Sequence, residues 1–248
     1  MTATGAVGWG RNQTTATERS RVLAALDHVR DPELDEPITT LGFVASCHVS
    51  AAGDVAVRLR LPTYFCAANF AFLMVADAYD VIAALPEVRS VDVVLLDHFA
   101  GAQINAGVAA RAGFVASFDG EAADELDELR KTFVTKAMLA GTDQVCRPLI
   151  ASGIKPAELA GLTLADVPPS SELDRLLRRR AELGLRTDAA APLLVDPGNG
   201  TAITGAGAPK YLGMARLTRT GIEANTGICR GMLKHRYAET GAGEEGSG

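Results

Sequence analysis

The stretch LPTYFCAANF sets Cys66 between a run of alternating apolar residues and a longer apolar run of helical character. A thiolate is both a nucleophile and a soft metal ligand, and a helix N-terminus favours that charged form through its unpaired backbone N–H groups. Cys66 is therefore the first candidate for chemistry. The other cysteines, Cys47, Cys146 and Cys229, are scattered, with no Cys-x-x-Cys and no His and Cys at zinc-finger spacing. That argues against a structural zinc site or a disulfide framework, and each of them reads as a small buried hydrophobe. Cys47 and His48 are neighbours in a strand, so their side chains point to opposite faces and do not share a metal easily. His98, in LLDHFAG at the end of another strand, reads as a solvated loop histidine. No Ser-His-Asp or Cys-His-Asn set is tied together by spacing, and the glycine-rich GNGTAITGAGAPK lacks the GK[ST] of a phosphate loop.

The elements that must position Cys66 are legible in the first half. TATERSRVLAALDHV opens with Thr15-x-x-Glu18, a capping box, and carries Val22, Ala25, Leu26 and Val29 at helical spacing. Pro32 ends that helix. LGFVASCHV, the turn SAAGD and VAVRLRL follow, with Val55, Val57, Leu59 and Leu61 alternating against Ala56, Arg58 and Arg60. That is a hairpin with one face buried. AANFAFLMVADAYDVIAAL reads as a buried helix ended by Pro86, and VRSVDVVLL as a third strand with Val91, Val93 and Leu95 on one face. The predicted fold class is α/β of the α+β kind: a small α-β-β-α-β sheet domain with helices on one face.

The linked motifs VLAALDHVRDPELDEPITTLGFV, the hairpin with its glycine turn and the cysteine opening the next helix resemble the SufT/PaaD-type domain of metal-sulfur cluster assembly factors. The resemblance covers roughly residues 20 to 98. It implies a non-enzymatic helper that delivers a transient iron or iron-sulfur cluster to a client. The PaaD type adds a multicomponent diiron oxygenase as client. It also implies a signature cysteine at Cys66 and an acidic loop at Asp31 and Glu33, so that a thiolate and harder carboxylate oxygens form a weak, releasable site. The chain departs from the family's Thr-x-x-x-Cys-Pro: Pro62 stands at the threonine position, Thr63 one place later, and Ala67 follows the cysteine. Either the loop is remodelled or metal handling has drifted. Asp-Pro-Glu is also an ordinary turn sequence, and a purely structural role for Asp31 and Glu33 stays open.

The remainder lies outside the resemblance. EAADELDELRKTFVTKAML places Leu126, Leu129, Phe133 and Ala137 on one helical stripe. SSELDRLLRRRAELGL opens with Ser171-x-x-Asp174 and closes at Gly184, KPAELAGLTLADVPP contains a short helix from Pro156, and DPGNG suggests a tight hairpin. The run Arg178 to Arg180 reads as a solvated face. Residues 210 to 237 set Lys210, Arg216, Arg219, Arg230, Lys234 and Arg236 against Glu223 alone, whereas the whole chain is net −6. Interleaved apolar residues make this segment a candidate docking arm for an acidic client, with Arg216, Arg219, Arg230, Lys234 and Arg236 as partner-binding residues. Folding back onto the acidic body is the alternative.

The predicted organisation is a disordered tail (1–16), the assembly-type domain (17–117), a mostly helical accessory domain (118–197), and a glycine-rich linker, basic arm and disordered tail (198–248). A chain of 248 residues, 48% apolar, without a run approaching the ~20 apolar residues of a membrane span and without a signal peptide reads as cytoplasmic. The acidic balance argues against nucleic acid or membranes as partners. The expected partner is a client metalloenzyme, with a homodimer allowed. The competing readings are an adaptor that has lost metal handling and a thiol-dependent enzyme using Cys66.

Overall fold

The structure is a computed structural model that describes residues 9–118 and 126–238. The predicted tails at 1–8 and 239–248, and the helix start at 121–125, lie outside the described residues. The described chain divides into two compact units: one takes in residues up to 32, 36–126 and 228 onward, the other residues 33–35 and 127–227.

In the first unit α1 (Trp9–Leu26) is followed by β1 (Val44–Val49), β2 (Asp54–Leu59), α2 (Ala68–Ala83) and β3 (Ser90–Leu95), then by α3 (Gly101–Ala109) and α4 (Gly113–Ser117). The predicted α-β-β-α-β order is present. The sheet runs β1-β2-β3, with β1 antiparallel and β3 parallel to β2. Helix α1 starts six residues before the expected Thr15, which corrects the tail boundary at residue 16. No proline precedes Pro32, so nothing in the backbone stops the helix at Thr15.

The alternation of β2 sets the core. Val55, Val57, Leu59 and Leu61 are buried together with Val22 and Leu26 of α1 and Ala71, Val75, Ala78 and Ile82 of α2. Gly53 turns the hairpin at φ +82°, and a Cβ there would lie 2.5 Å from the Glu87 carbonyl oxygen, so only glycine fits. Beside it Arg89 and Ser90 hydrogen-bond Asp54, and these bonds, led by Arg89, hold the Asp54 carboxyl down at about 2. They fasten the start of β2 to the start of β3.

The second unit holds α5 (Asp127–Ala151), α6 (Pro156–Leu159), a 3-10 turn at Leu164–Asp166, α7 (Ser171–Glu182) and the first two thirds of α8 (Ala208–Tyr237). Helix α5 packs on α7 over a core that includes Met138, Cys146, Leu176, Leu193 and Leu212. The cap of α7 is Ser170, whose Oγ accepts from the Leu173 N–H, one residue before the expected Ser171. The DPGNG turn is present as a single antiparallel bridge between Val195 and Ala202.

Two expectations fail here. The arginine run is not a solvated face. Arg180 is fully buried, donating to the carbonyls of Pro192 and Leu193, and Arg179 is buried against Asp35 and Glu182. Burial works against the Arg179 charge, yet the two carboxylates outweigh it and raise its pKa, whereas unpaired burial pulls that of Arg180 down. Nor is 198–237 a linker and free arm. Ala208, Leu212 and Ala215 are buried in the second unit, and Leu233 is buried in the first.

Candidate functional site

The loop from Leu61 to Ala67 leaves β2 and delivers Cys66 two residues before the first turn of α2, the position expected from sequence. Its thiol is half-buried, and its Sγ lies 3.3 Å from Thr63 Oγ1. The threonine displaced by one place in the sequence pattern still reaches the sulfur.

His98 holds the loop from behind. The Ala100 N–H donates to its Nδ1 at 3.2 Å, which leaves Nε2 protonated and donating to the Cys66 carbonyl at 2.7 Å. His98 is buried rather than solvated, and that burial lowers its pKa, with the Arg236 charge a lesser contribution in the same direction and the Cys66 bond opposing. The sequence placed His98 at a strand end and carried no sign of this bond, because its partner is a backbone atom 32 positions away.

Asn105 of α3 donates to and accepts from the Leu95 backbone, fixing the end of β3 that carries His98. From the last turn of α8, Arg236 donates to the carbonyls of Leu61 and Asp97, one on each side of the site. Arg60 lies over the Tyr237 ring at 4.6 Å. Tyr64, Phe65 and Phe99 form an exposed aromatic shelf in which Phe65 is 77% exposed and packs edge-on to Tyr64 and stacked on Phe99. The shelf is joined to the site by the Phe99 N–H, which donates to the Tyr64 carbonyl. These aromatics went unremarked in the sequence, where Phe99 stands far from Tyr64 and Phe65.

The acidic loop behaves differently. Asp31 is buried, and its N–H donates to the Glu36 carbonyl. Glu33 accepts from Asn225 Nδ2 at 3.2 Å within the second unit. Among the described residues no group of three or more His, Cys, Asp or Glu side chains is placed to hold a metal ion, so Cys66, Asp31 and Glu33 are not gathered into such a cage. Cys47 is buried, and that burial, opposed by Arg19, pushes its thiol up, while burial lifts the Cys146 thiol to about 12.

Of the partner-binding candidates, Arg219 pairs with Asp143 and Glu223, Arg230 with Glu36, and Arg236 with the two carbonyls. Arg216 and Lys234 are exposed. Three of the five are thus spent on intrachain contacts.

Comparison with known proteins locates the domain. Residues 19–93 match the family described as "Iron-sulfur cluster assembly protein". That match spans 75 of the chain's 248 residues and likens this segment to the iron-sulfur cluster assembly class. The Asp-Pro-Glu loop, the hairpin and the helix-opening cysteine, on which the PaaD/SufT resemblance rests, fall within the matched residues. A solved domain of unknown function, DUF59 from Bacillus anthracis, is similar at 23% identity over 34% of this chain and 79% of that one, with a TM-score of 0.32. No curated protein matches the chain. Among the described residues no helix is long and apolar enough to cross a membrane.

Proposed function

We propose that the protein is a cytoplasmic, non-enzymatic maturation factor that passes iron or an iron-sulfur cluster to a client metalloenzyme, with Cys66 as the thiolate that receives and releases the cargo. The observation that supports this most directly is the half-buried Cys66 ahead of α2, held by Thr63 and by the His98 bond to its carbonyl, inside the assembly-class segment. One protein thiolate binds a metal weakly, so the remaining ligands come from the donor or acceptor during transfer. The aromatic shelf of Tyr64, Phe65 and Phe99 offers apolar contact beside that thiol. A multicomponent diiron monooxygenase is the client class that the PaaD resemblance suggests.

A second reading, an adaptor that binds an oxygenase component without handling metal, is favoured by the lack of a three-ligand group among the described residues. Anaerobic reconstitution with ferrous iron and sulfide, followed by spectroscopy and transfer to an apo-ferredoxin acceptor, separates the two. The wild type should bind and transfer, and Cys66→Ser should lose transfer. Equal transfer by Cys66→Ser would remove the thiol from the reading, and no uptake by the wild type would favour the adaptor.

A further inference from the structure

Four large apolar side chains of the first unit stay in water on the two segments that meet at Cys66: Tyr64 and Phe65 on the loop after β2, Leu96 and Phe99 on the turn after β3. The three rings touch one another, with centroids 5.0 Å apart for Tyr64 and Phe65, 6.1 Å for Phe65 and Phe99 and 6.5 Å for Tyr64 and Phe99. A contiguous exposed apolar patch marks a surface that another molecule covers, and aromatic rings are the usual anchors of such contacts.

The patch is built in advance. Asp97 takes a left-handed backbone conformation, φ +47°, which is uncommon for a residue with a side chain. Around that turn His98 goes into the core while Leu96 and Phe99 stay outside. His98 packs against the Phe99 ring at 4.8 Å, and the Phe99 N–H bond to the Tyr64 carbonyl closes the two segments on each other. Rings already fixed in place lose little freedom when a partner lands on them.

Arg60 supplies an independent observation. Among the described residues its guanidinium finds no hydrogen-bond acceptor and no carboxylate; its Nε is cut off from solvent, and its contact is the Tyr237 ring at 4.6 Å. The Tyr237 hydroxyl in turn donates to Asp97 at 3.4 Å, in the turn that carries Leu96 and Phe99, which puts Arg60 at the rim of the shelf. Arg236, 5.2 Å from the same ring, gives its bonds to neutral carbonyls. Asp97 is the one carboxylate in this chain of contacts. Arg219 and Arg230, by contrast, are matched by carboxylates of the chain itself. A guanidinium nitrogen hidden from water without an acceptor is costly, and a carboxylate is the partner its geometry suits.

We propose that the shelf receives an acidic segment of a second protein, whose bulky apolar side chain lies on Phe65 and Phe99 and whose carboxylate pairs with Arg60. Apolar burial supplies the affinity and the guanidinium the orientation, and the partner's backbone comes alongside the Cys66 loop. Only the further step of calling that protein the client rests on the maturation reading above.

The probe is a fluorescein-labelled peptide of glutamate and serine with a central leucine pair and blocked ends, read by anisotropy against the full chain with no metal present. It should bind, and the same peptide with lysine for glutamate, or serine for leucine, should bind at least about tenfold more weakly. Phe65→Ser should weaken binding as much with unchanged circular dichroism, because that side chain is 77% exposed. Arg60→Gln should weaken it and flatten its dependence on salt. No binding of the glutamate peptide, equal binding of the lysine peptide, or wild-type binding by Phe65→Ser overturns the proposal. Should Arg60→Gln lose helix signal, the wild-type salt series decides, since binding indifferent to salt removes the carboxylate. Phe65-dependent binding to phosphatidylglycerol vesicles in place of the peptide, or Phe65-dependent self-association in sedimentation velocity, assigns the shelf to a membrane or a second copy and also overturns it. A wild type that binds the peptide yet takes up no iron on reconstitution sinks the maturation reading and leaves the shelf standing as an adaptor's docking surface.

Discussion

The imidazole of His98 donates from Nε2 to the carbonyl oxygen of Cys66 across 2.7 Å, while its Nδ1 accepts from Ala100. Both nitrogens are committed, so His98 positions the backbone beneath the thiol and leaves the sulfur itself to Thr63 and whatever docks there.

This arrangement predicts a pH signature. Burial keeps the His98 pKa below its ordinary value of about 6.5. Its contribution to stability is full above that value. It declines below it as the unfolded chain takes up a proton that the folded chain refuses, and it levels off once the folded pKa is passed. Urea unfolding at neutral and mildly acidic pH should show the decline in wild type. In His98→Ala it should be smaller, on a baseline lowered by about 1–3 kcal/mol for the unpaired groups left behind. An identical pH slope in both would show that His98 is not its source.

Thiol labelling should rank the cysteines. Cys66 is accessible, whereas Cys47 and Cys146 are buried with their thiols pushed up. Brief alkylation of the native protein, read by mass spectrometry, should mark Cys66 before Cys47 and Cys146. Prior labelling of either buried thiol would contradict the placement.

Arg180→Ala should cost about 3 kcal/mol, since it strands two buried carbonyls and removes packing from the second unit's core. Arg178→Ala, at an exposed position, should stay within about 0.5 kcal/mol. Denaturant melts of the pair provide the comparison, and equal losses would return the whole run to the surface.

Arg236→Ala removes two charge-assisted bonds to Leu61 and Asp97 and should cost about 2 kcal/mol. It should also speed alkylation of Cys66 by loosening the loop that begins at Leu61. A variant with wild-type stability and wild-type labelling would mean that the end of α8 does not anchor the site.

What could be read from sequence was what local pattern controls. The alternation from Val55 to Leu61 has one buried solution, and the change of period around Cys66 marks a strand giving way to a helix. What could not be read depends on partners far along the chain. Arg179 looks solvated until Asp35, 144 positions away, is beside it, and His98 looks free until the Cys66 carbonyl is placed. Helix α8 was obscured for the same reason: its bases read as a docking arm until Asp143 is beside Arg219 and Glu36 beside Arg230. The cysteine was therefore legible, and its supports were not.

The first unit is closed by residues 228 onward, whose Leu233 is buried in it and whose Arg236 ties down both sides of the Cys66 loop. Chains emerge from the ribosome N-terminus first, and domains generally fold in that order. Here the first unit begins to emerge early yet is completed by a segment that follows the whole of the second unit along the chain. A chain stalled before that segment would present Cys66 on an unfastened loop, so synthesis through the second unit precedes closure of the first.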